Sequence, residues 1–186
     1  HTRLLTGITV LVPADANEAY KSVLSAAKTT TPVYISQGRY PKPVIFGQDY
    51  EFHICAIPVM REGDSIVIYA SGIMTAHALD TAEILADQGF EATVLNVATI
   101  KPLNAGAILA SAGGKKLCVT MEEHWISGGL GSAVAEILAE VPGTPPLHRF
   151  GVRDKFGQSG TADELLEYHE LMPVQMAQAI LNTIDG

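Results

Sequence analysis

Short apolar segments with the period of a β-strand alternate along this chain with longer segments that have the period of an α-helix. In the second part of the sequence, strands are predicted in "SIVIYASG", "EATVLNVAT", "KKLCVTME" and "PPLHRFGV", and helical segments follow each of them. Strands that alternate with helices at these lengths pair in parallel, and right-handed crossovers place the helices on both faces of the sheet. The sequence therefore predicts an α/β protein with a three-layer α/β/α arrangement.

The first forty residues contain a separate βαβ pattern. The segments "GITVLVPA" and "TPVYISQGR" predict two parallel strands, and Asp15 as N-cap with Glu18 three residues later predicts the helix between them. Its core face is expected to carry Ala19, Val23 and Ala26. A βαβ unit of about 40 residues cannot bury both faces of its own sheet. We expect a second chain, or a preceding part of a longer protein, to complete it.

Composition and charge exclude two classes of partner. The 186 residues carry a formal net charge of -8, and their 12 Lys and Arg residues are scattered rather than aligned in a basic stripe, so no nucleic-acid partner is expected. No apolar run approaches the ~20 residues that cross a membrane, so no membrane association is expected either. The chain is predicted to be cytoplasmic.

Three glycines open the helix predicted after the third strand of the second block. Gly129 and Gly131 satisfy the first two positions of a dinucleotide fingerprint, but Val134 stands where Gly or Ala is needed, and the preceding loop is too long. Asp154, a little over twenty residues on, keeps the dinucleotide alternative open. The other interpretation is that Gly128, Gly129 and Gly131 permit tight packing and positive φ at a helix start.

Polar residues precede those glycines, at the carboxyl end of the strand, where ligands of parallel sheets bind. Glu122, Glu123 and His124 suggest acid/base chemistry, because a histidine beside a carboxylate titrates near neutral pH. Adjacent strand residues point to opposite faces, so the two carboxylates are not expected to form a pair. One is expected to face the loop and the other to accept hydrogen bonds from backbone amides at the helix start. His124 and Trp125 are of the type enriched at interfaces.

Arg39 is a candidate for binding an anion. It is predicted to end a buried strand at the carboxyl edge of the sheet, where a guanidinium can hold a phosphate bidentately. A surface salt bridge is the alternative. A cluster of charged residues lies around the last predicted strand and comprises Arg149, Arg153, Asp154 and Lys155. Its charges can neutralise one another without a ligand. Thr161, which follows this cluster, is predicted to be a helix N-cap.

Six segments resemble, in order and spacing, the C-terminal half of a transketolase, and more narrowly the C-terminal subunit of a two-subunit transketolase. They are "ITVLVPADANEA", "PVYISQGR", "SIVIYASGIMTAHALDTAEIL", "ATVLNVATIKPLN", "VTMEEHWISGGLGSAVAEIL" and "GVRDKFGQSGTADELL". The resemblance implies that residues 1–40 are the tail of the pyrimidine-binding domain, 41–62 a linker, and 63–186 the transketolase C-terminal domain. In the family that domain is a mostly parallel five-stranded sheet with one antiparallel edge strand.

The resemblance also implies an activity and its cofactors. Family members use thiamine diphosphate and Mg²⁺ to move a two-carbon ketol unit between sugar phosphates, as in the pentose phosphate pathway. The GDG motif that holds metal and diphosphate is absent from this sequence, so we expect no metal site, no bound cofactor and no activity in this chain alone. Arg39 matches a family arginine that reaches the sugar phosphate, whereas Ser36 and Gln37 depart from the family's arginine and apolar residue.

The implied partners are an N-terminal transketolase subunit or domain and a second copy in a homodimer. Glu122, Glu123, His124, Gly128, Gly129 and Gly131 are then expected at the interface or near the shared active site, and none is expected to be catalytic. Two alternatives stay open. One is a sister thiamine enzyme, either a 2-oxo acid dehydrogenase β subunit or a deoxyxylulose phosphate synthase. The other is a non-catalytic domain for dimerisation or effector binding.

Overall fold

The computed structural model describes residues 2–40 and 43–185. A short 3₁₀ helix, Thr2–Leu4, precedes the regular elements. The strands are β1 Thr9–Leu11, β2 Val33–Ile35, β3 Val59–Arg61, β4 Ile66–Ala70, β5 Ala92–Asn96, β6 Thr99–Lys101, β7 Leu117–Trp125 and β8 Leu147–Val152. The helices are α1 Ala16–Ala26, α2 Met74–Asp87, α3 Ala105–Ala112, α4 Leu130–Ala139, α5 Ala162–Tyr168 and α6 Pro173–Asp185.

The main sheet has five strands in the order β3-β5-β4-β7-β8. All neighbouring pairs are parallel except β3 with β5, which is antiparallel at one edge. Every residue of the central strands β4 and β5 is buried, as expected for parallel strands covered on both faces. The predicted fold class is confirmed, including the antiparallel edge strand that the family resemblance implied.

Helices cover both faces of this sheet, and alternate residues of β4 separate the two layers. Ile66 and Ile68 pack against α2 and α6, whereas Val67 and Tyr69 pack against α3 and α4. The buried Tyr69 hydroxyl donates to the backbone oxygen of Ile108 at 2.9 Å, which satisfies its polar atom. No helix in the described part of the chain combines the length and the apolar character needed to cross a bilayer.

A second sheet has three strands in the order β2-β1-β6. The segment "EATVLNVAT" was predicted as one strand, but the chain leaves the main sheet after β5 and enters the small sheet as β6, antiparallel to β1. The Val12 N–H donates to the Ala98 oxygen at 2.7 Å beside this pair. The N-terminal βαβ unit therefore takes one neighbouring strand from within this chain, which the local strand pattern could not reveal.

The orientation of α1 differs from the amphipathic prediction. Its buried residues are the polar Glu18 and Ser22, whereas Val23, predicted on the core face, is 48% exposed, and Tyr20 and Leu24 are 63% and 46% exposed. The polar face is buried because the Glu18 carboxylate finds hydrogen-bond donors inside the protein, so its burial is compensated. The apolar face of α1 is left without a cover among the described residues.

Candidate functional site

A cleft of about 470 Å³ opens where the carboxyl ends of strands from both sheets meet. Its walls include Val12 after β1, Ser36 after β2, Ser71 after β4, Glu123 at the end of β7, and Gly129 at the start of α4. From β4 the chain runs outward to β5 and then returns past β4 to β7, so β4 and β7 flank the point where the strand order reverses. Ligands of open α/β sheets bind at this position. We call this space the switch-point cleft.

Glu122 forms the inner wall of the switch-point cleft. Its side chain is almost fully buried, and its carboxylate accepts hydrogen bonds from the N–H groups of Leu130 and Gly131, each at 2.8 Å. These N–H groups open α4, whose N-cap residue Gly129 has no side chain to satisfy them. Burial raises the pKa of the Glu122 carboxyl, while the two N–H donors and the charge of His124 oppose the rise. This confirms the prediction that one of the two glutamates binds the helix start.

Glu123 and His124 lie at the outer end of β7 and are exposed. The His124 Nδ1 atom lies 2.7 Å from the Trp125 backbone oxygen, and since a carbonyl oxygen can only accept, Nδ1 carries the proton. The same atom is 3.7 Å from the Glu122 carboxylate, too far for a hydrogen bond. In the neutral ring, Nε2 is then left as an acceptor. As predicted, the two glutamates do not form a carboxylate pair, since Glu122 is buried and Glu123 is exposed to solvent.

The three glycines serve packing at this helix start. Gly128 has φ +91°, a conformation that disfavours a side chain. A Cβ atom at Gly129 would lie 1.9 Å from the Glu122 Oε2 atom, and one at Gly131 would lie 2.9 Å from the Thr120 hydroxyl. The N–H groups that a dinucleotide phosphate would need are already bound by Glu122. The partial fingerprint is therefore wrong, and the packing interpretation is confirmed.

Arg39 does not line the switch-point cleft. The strand predicted to end at this residue, β2, ends at Ile35 and is an edge strand of the small sheet, and Tyr34 within it is 45% exposed. Arg39 itself is exposed, and its guanidinium carbon lies 5.8 Å from the centre of the Tyr40 ring. The prediction that Arg39 ends a buried strand is wrong, because β2 is a short edge strand.

Arg3 was not identified from the sequence, yet it joins the 3₁₀ helix to the glycine loop. Its Nε donates to the Gly128 oxygen at 2.9 Å, and its two terminal nitrogens donate to the Glu136 carboxylate at 2.9 and 2.7 Å. Such a bidentate pair is geometrically specific. No local pattern signals this contact, because its partners lie more than a hundred residues away along the chain.

A buried polar network between α1 and β5 was also missed. The Glu18 N–H donates to the Asp15 carboxylate at 2.8 Å, which confirms Asp15 as the N-cap. The Glu18 carboxylate, however, accepts from the Asn96 amide and the Ala14 N–H, each at 2.7 Å, and from the Tyr50 hydroxyl at 3.1 Å. Burial is the largest influence on Glu18 and raises its pKa to about 7 against these donors. The network joins the N-terminal unit to β5.

The described residues do not fit a thiamine diphosphate and Mg²⁺ site. They include no group of three His, Cys, Asp or Glu side chains that could hold a metal ion. The α4 N-terminus, which could otherwise cradle a diphosphate, is neutralised by Glu122. No catalytic step through the cofactor is therefore derived from this chain.

Comparison with known proteins identifies what the chain is similar to. The family model described as "Transketolase, C-terminal domain" matches residues 56–176. Over 178 residues the chain is 41% identical to the 6-deoxy-6-sulfo-D-fructose transketolase subunit SqwH of Clostridium sp., covering 95% of this chain and 55% of that protein. It is 35% identical to a putative transketolase C-terminal section of Methanocaldococcus jannaschii, covering 96% and 56%. The chain thus spans about half the length of these curated relatives.

A solved structure extends the similarity to three dimensions. A split-gene transketolase, described as an inactive β4 tetramer, superposes with a TM-score of 0.92 at 38% identity, covering 99% of this chain and 59% of that chain. A 1-deoxy-D-xylulose-5-phosphate synthase of Caldanaerobacter subterraneus is also similar, at 33% identity over 96% of this chain but only 29% of that protein. The similarity includes the N-terminal βαβ unit as well as the main sheet.

Proposed function

We propose a function from one premise, that this chain belongs to the transketolase family and carries its C-terminal domain. It acts as the C-terminal part of a transketolase that uses thiamine diphosphate and Mg²⁺ to transfer a two-carbon ketol unit between sugar phosphates. The observation that carries this proposal is the TM-score of 0.92 against a split-gene transketolase over 99% of the chain. The domains are assigned as 1–40 to the pyrimidine-binding domain, 41–62 to a linker and 63–186 to the C-terminal domain.

The active assembly contains an N-terminal transketolase subunit or domain, and two copies of each half. Two features of this chain support the need for a partner. The apolar face of α1, with Tyr20 and Leu24, is exposed, and a covering surface would bury it. Thiamine diphosphate and Mg²⁺ bind in the complete enzyme through residues of the other half, since the described residues here offer no metal ligands. The chain alone is expected to be inactive.

Two groups of residues are assigned roles within that assembly. Arg39, exposed beyond β2, binds the substrate phosphate, for which a bidentate guanidinium is suited. The joint between β7 and α4 lies at the subunit interface or near the shared active site. Its members are Glu122, Glu123, His124, Gly128, Gly129 and Gly131. Trp125, 41% exposed at the same joint, supports an interface there, because aromatic residues are enriched at protein interfaces.

Reconstitution tests this proposal. The chain is combined with the N-terminal transketolase half from the same organism, thiamine diphosphate and Mg²⁺, and ketol transfer from xylulose 5-phosphate to ribose 5-phosphate is measured. Arg39→Ala is expected to raise KM for the phosphorylated substrate by about tenfold or more with kcat nearly unchanged, since it removes a contact made equally in the ground and transition states. Arg153→Ala, at another exposed arginine, is the control. A reconstituted pair that transfers no ketol unit contradicts the proposal.

A sister activity is the second candidate, favoured by the 33% identity to a 1-deoxy-D-xylulose-5-phosphate synthase over 96% of this chain. The same reconstituted pair distinguishes the two, because accumulation of 1-deoxy-D-xylulose 5-phosphate without ketol transfer would assign the synthase activity. The higher identity to the transketolase subunit, 41% against 33%, ranks this candidate second.

A further inference from the structure

We propose that the switch-point cleft binds a small, uncharged, hydroxyl-rich ligand, and that it discriminates against phosphate esters. This site is distinct from Arg39, which lies outside the cleft. It depends only on residues of this chain and does not rest on the transketolase activity.

The position and size of the cleft suit a small molecule. It lies outside the carboxyl ends of β4 and β7, where the strand order reverses, and the end of β2 forms its opposite wall. Its volume of about 470 Å³ lies within the range of ligand pockets in proteins. Apolar side chains such as Val12 and Leu130 line part of it, and Tyr34 contributes a half-exposed aromatic ring. An aromatic ring can pack against the C–H face of a sugar.

Polar side chains without protein partners lie in the walls. Ser71 is only 5% exposed, and its backbone N–H and oxygen are engaged by Met121 and Met74, yet its hydroxyl bonds to none of the residues that the structure describes. Because Ser71 lines the cleft, its hydroxyl can donate to or accept from a molecule bound there. Ser36 and Gln37 also line the cleft, and their side chains make no hydrogen bond to the described residues.

The charges around the cleft argue against an anionic ligand. Among the described lining residues Arg3 is the permanently charged cation, and its guanidinium is already bound to Glu136 and to the Gly128 oxygen. Glu122 occupies the N–H groups at the start of α4, and Glu123 adds an exposed negative charge. A phosphate ester would therefore meet like charge without a free partner, which is unfavourable.

The hydrogen-bonding character of the cleft favours a ligand that donates. The Glu123 carboxylate can only accept, and the His124 ring, whose Nδ1 donates to the Trp125 oxygen, has Nε2 as its remaining polar atom. The Ser71 and Ser36 hydroxyls can donate or accept, and the Gln37 amide can do both. Hydroxyl groups on a neutral polyol or an unphosphorylated sugar match this set, since each can donate to one wall and accept from another.

An NMR titration of the ¹⁵N-labelled 186-residue chain tests the proposal, with D-ribose, ribose 5-phosphate and inorganic phosphate as probes. Ribose is expected to shift the amides of Ser36, Gly72 and His124 saturably, and ribose 5-phosphate is expected to bind about tenfold more weakly or worse. Glu123→Gln should narrow that difference, because it removes the like charge. Ser71→Ala should weaken ribose binding by about fivefold or more, and Ser159→Ala, in an exposed loop, is the matched control.

Three results would overturn the inference: no saturable shift with ribose, equal or tighter binding of ribose 5-phosphate, or an unchanged ribose affinity in folded Ser71→Ala. Retention of the wild-type amide spectrum away from the cleft establishes that the variants fold. The outcome is separate from the transfer assay, because ketol transfer by the reconstituted pair requires no ribose bound to this cleft. An active pair without ribose binding contradicts the ligand site alone.

Discussion

At the scale of single residues, Glu18 shows how a surface-type residue becomes part of the interior. Its carboxylate is fully buried and bound by Asn96 from β5, by Tyr50 from the connecting segment and by the Ala14 N–H. Asn96 in turn accepts a hydrogen bond from the Thr75 hydroxyl at 2.8 Å. One carboxylate thus holds α1, β5 and the connecting segment together, and its protonation affects all three.

The pKa of Glu18 predicts a pH dependence of stability. Burial raises this pKa from 4.5 to about 7, so between these values the folded protein binds more protons than the unfolded chain. Stability contributed by the protonated form is present below pH 4.5 and is lost as the pH rises through 7. Chemical denaturation at pH 5 and at pH 8 gives the change in unfolding free energy between these two pH values. Glu18→Gln is expected to make this change smaller than in the wild-type chain by about 3 kcal/mol.

The exposed Glu51, whose substitution Glu51→Gln removes the same charge, is the control and should leave that pH difference unchanged. If Glu18→Gln and Glu51→Gln gave the same dependence on pH, burial of Glu18 would not be what couples its protonation to folding.

At the scale of elements, the joint between β7 and α4 combines a strand end, a loop and a helix start into one packed unit. Glu122 satisfies the first N–H groups of α4 across the loop, and this contact is possible only because Gly129 has no side chain. Arg3 holds the loop from the opposite side through the Gly128 oxygen. The absence of a side chain at Gly129 therefore allows the Glu122 carboxylate to approach the first N–H groups of α4.

Gly129→Ala is expected to destabilise the protein by about 2–4 kcal/mol, the range of substitutions that create overlap and break a buried polar contact. The added Cβ would lie 1.9 Å from the Glu122 carboxylate and 2.8 Å from the His124 ring. Gly157→Ala is the matched control, because a Cβ there meets no atom within 4 Å. Urea denaturation of both variants measures the difference, and equal stability of the two would show that the joint tolerates displacement of Glu122.

At the scale of the whole molecule, the two sheets are joined through β6 and through the Glu18 network. β1 is the central strand of the small sheet, and β6 next to it continues directly from β5 of the main sheet. Val10 of β1 lies in one buried cluster with Val67 of β4 and Leu95 of β5. The N-terminal unit is therefore packed into the same interior as the main sheet.

This packing predicts a single cooperative unfolding unit. In native-state hydrogen exchange, the amides of β1 and β4 are expected to report opening free energies within about 1 kcal/mol of each other, whereas the 3₁₀ helix Thr2–Leu4 exchanges rapidly. Asn96→Ala should lower protection in β1 by about 1–3 kcal/mol, because it removes one of the three donors to the buried Glu18 carboxylate.

Asn182→Ala, on the exposed side of α6, is the control. Protection in β1 that was much weaker than in β4 in the wild-type chain would mean that the N-terminal unit opens independently.

Local sequence patterns predicted much of the fold. Alternation of strands and helices gave the layer arrangement, Asp15 and Thr161 were identified as N-caps, and both are confirmed by side-chain hydrogen bonds to the third residue of each helix. These features depend on neighbours within one or two turns, so the local sequence contains the information that specifies them.

Where the patterns failed, partners distant along the chain decided the outcome. The split of one predicted strand into β5 and β6 depends on pairing with β1, about ninety residues earlier, and the reversed burial of α1 depends on Asn96 as a donor to Glu18. Arg39 was misplaced because edge and central strands cannot be distinguished from a short apolar run.

The sequence by itself determined the fold class, the family and the chemical types available at the strand ends, because periodicity and colinear motifs are local and cumulative. The tertiary structure alone decided which of those groups remain free. The Glu122 carboxylate is hydrogen-bonded to the start of α4, the Arg3 guanidinium to Glu136, and the Glu18 carboxylate to Asn96. The Ser71 hydroxyl, in contrast, faces the cleft. The physical reason is that a buried polar group must find a partner, and whether it does depends on the three-dimensional arrangement of residues far apart along the chain.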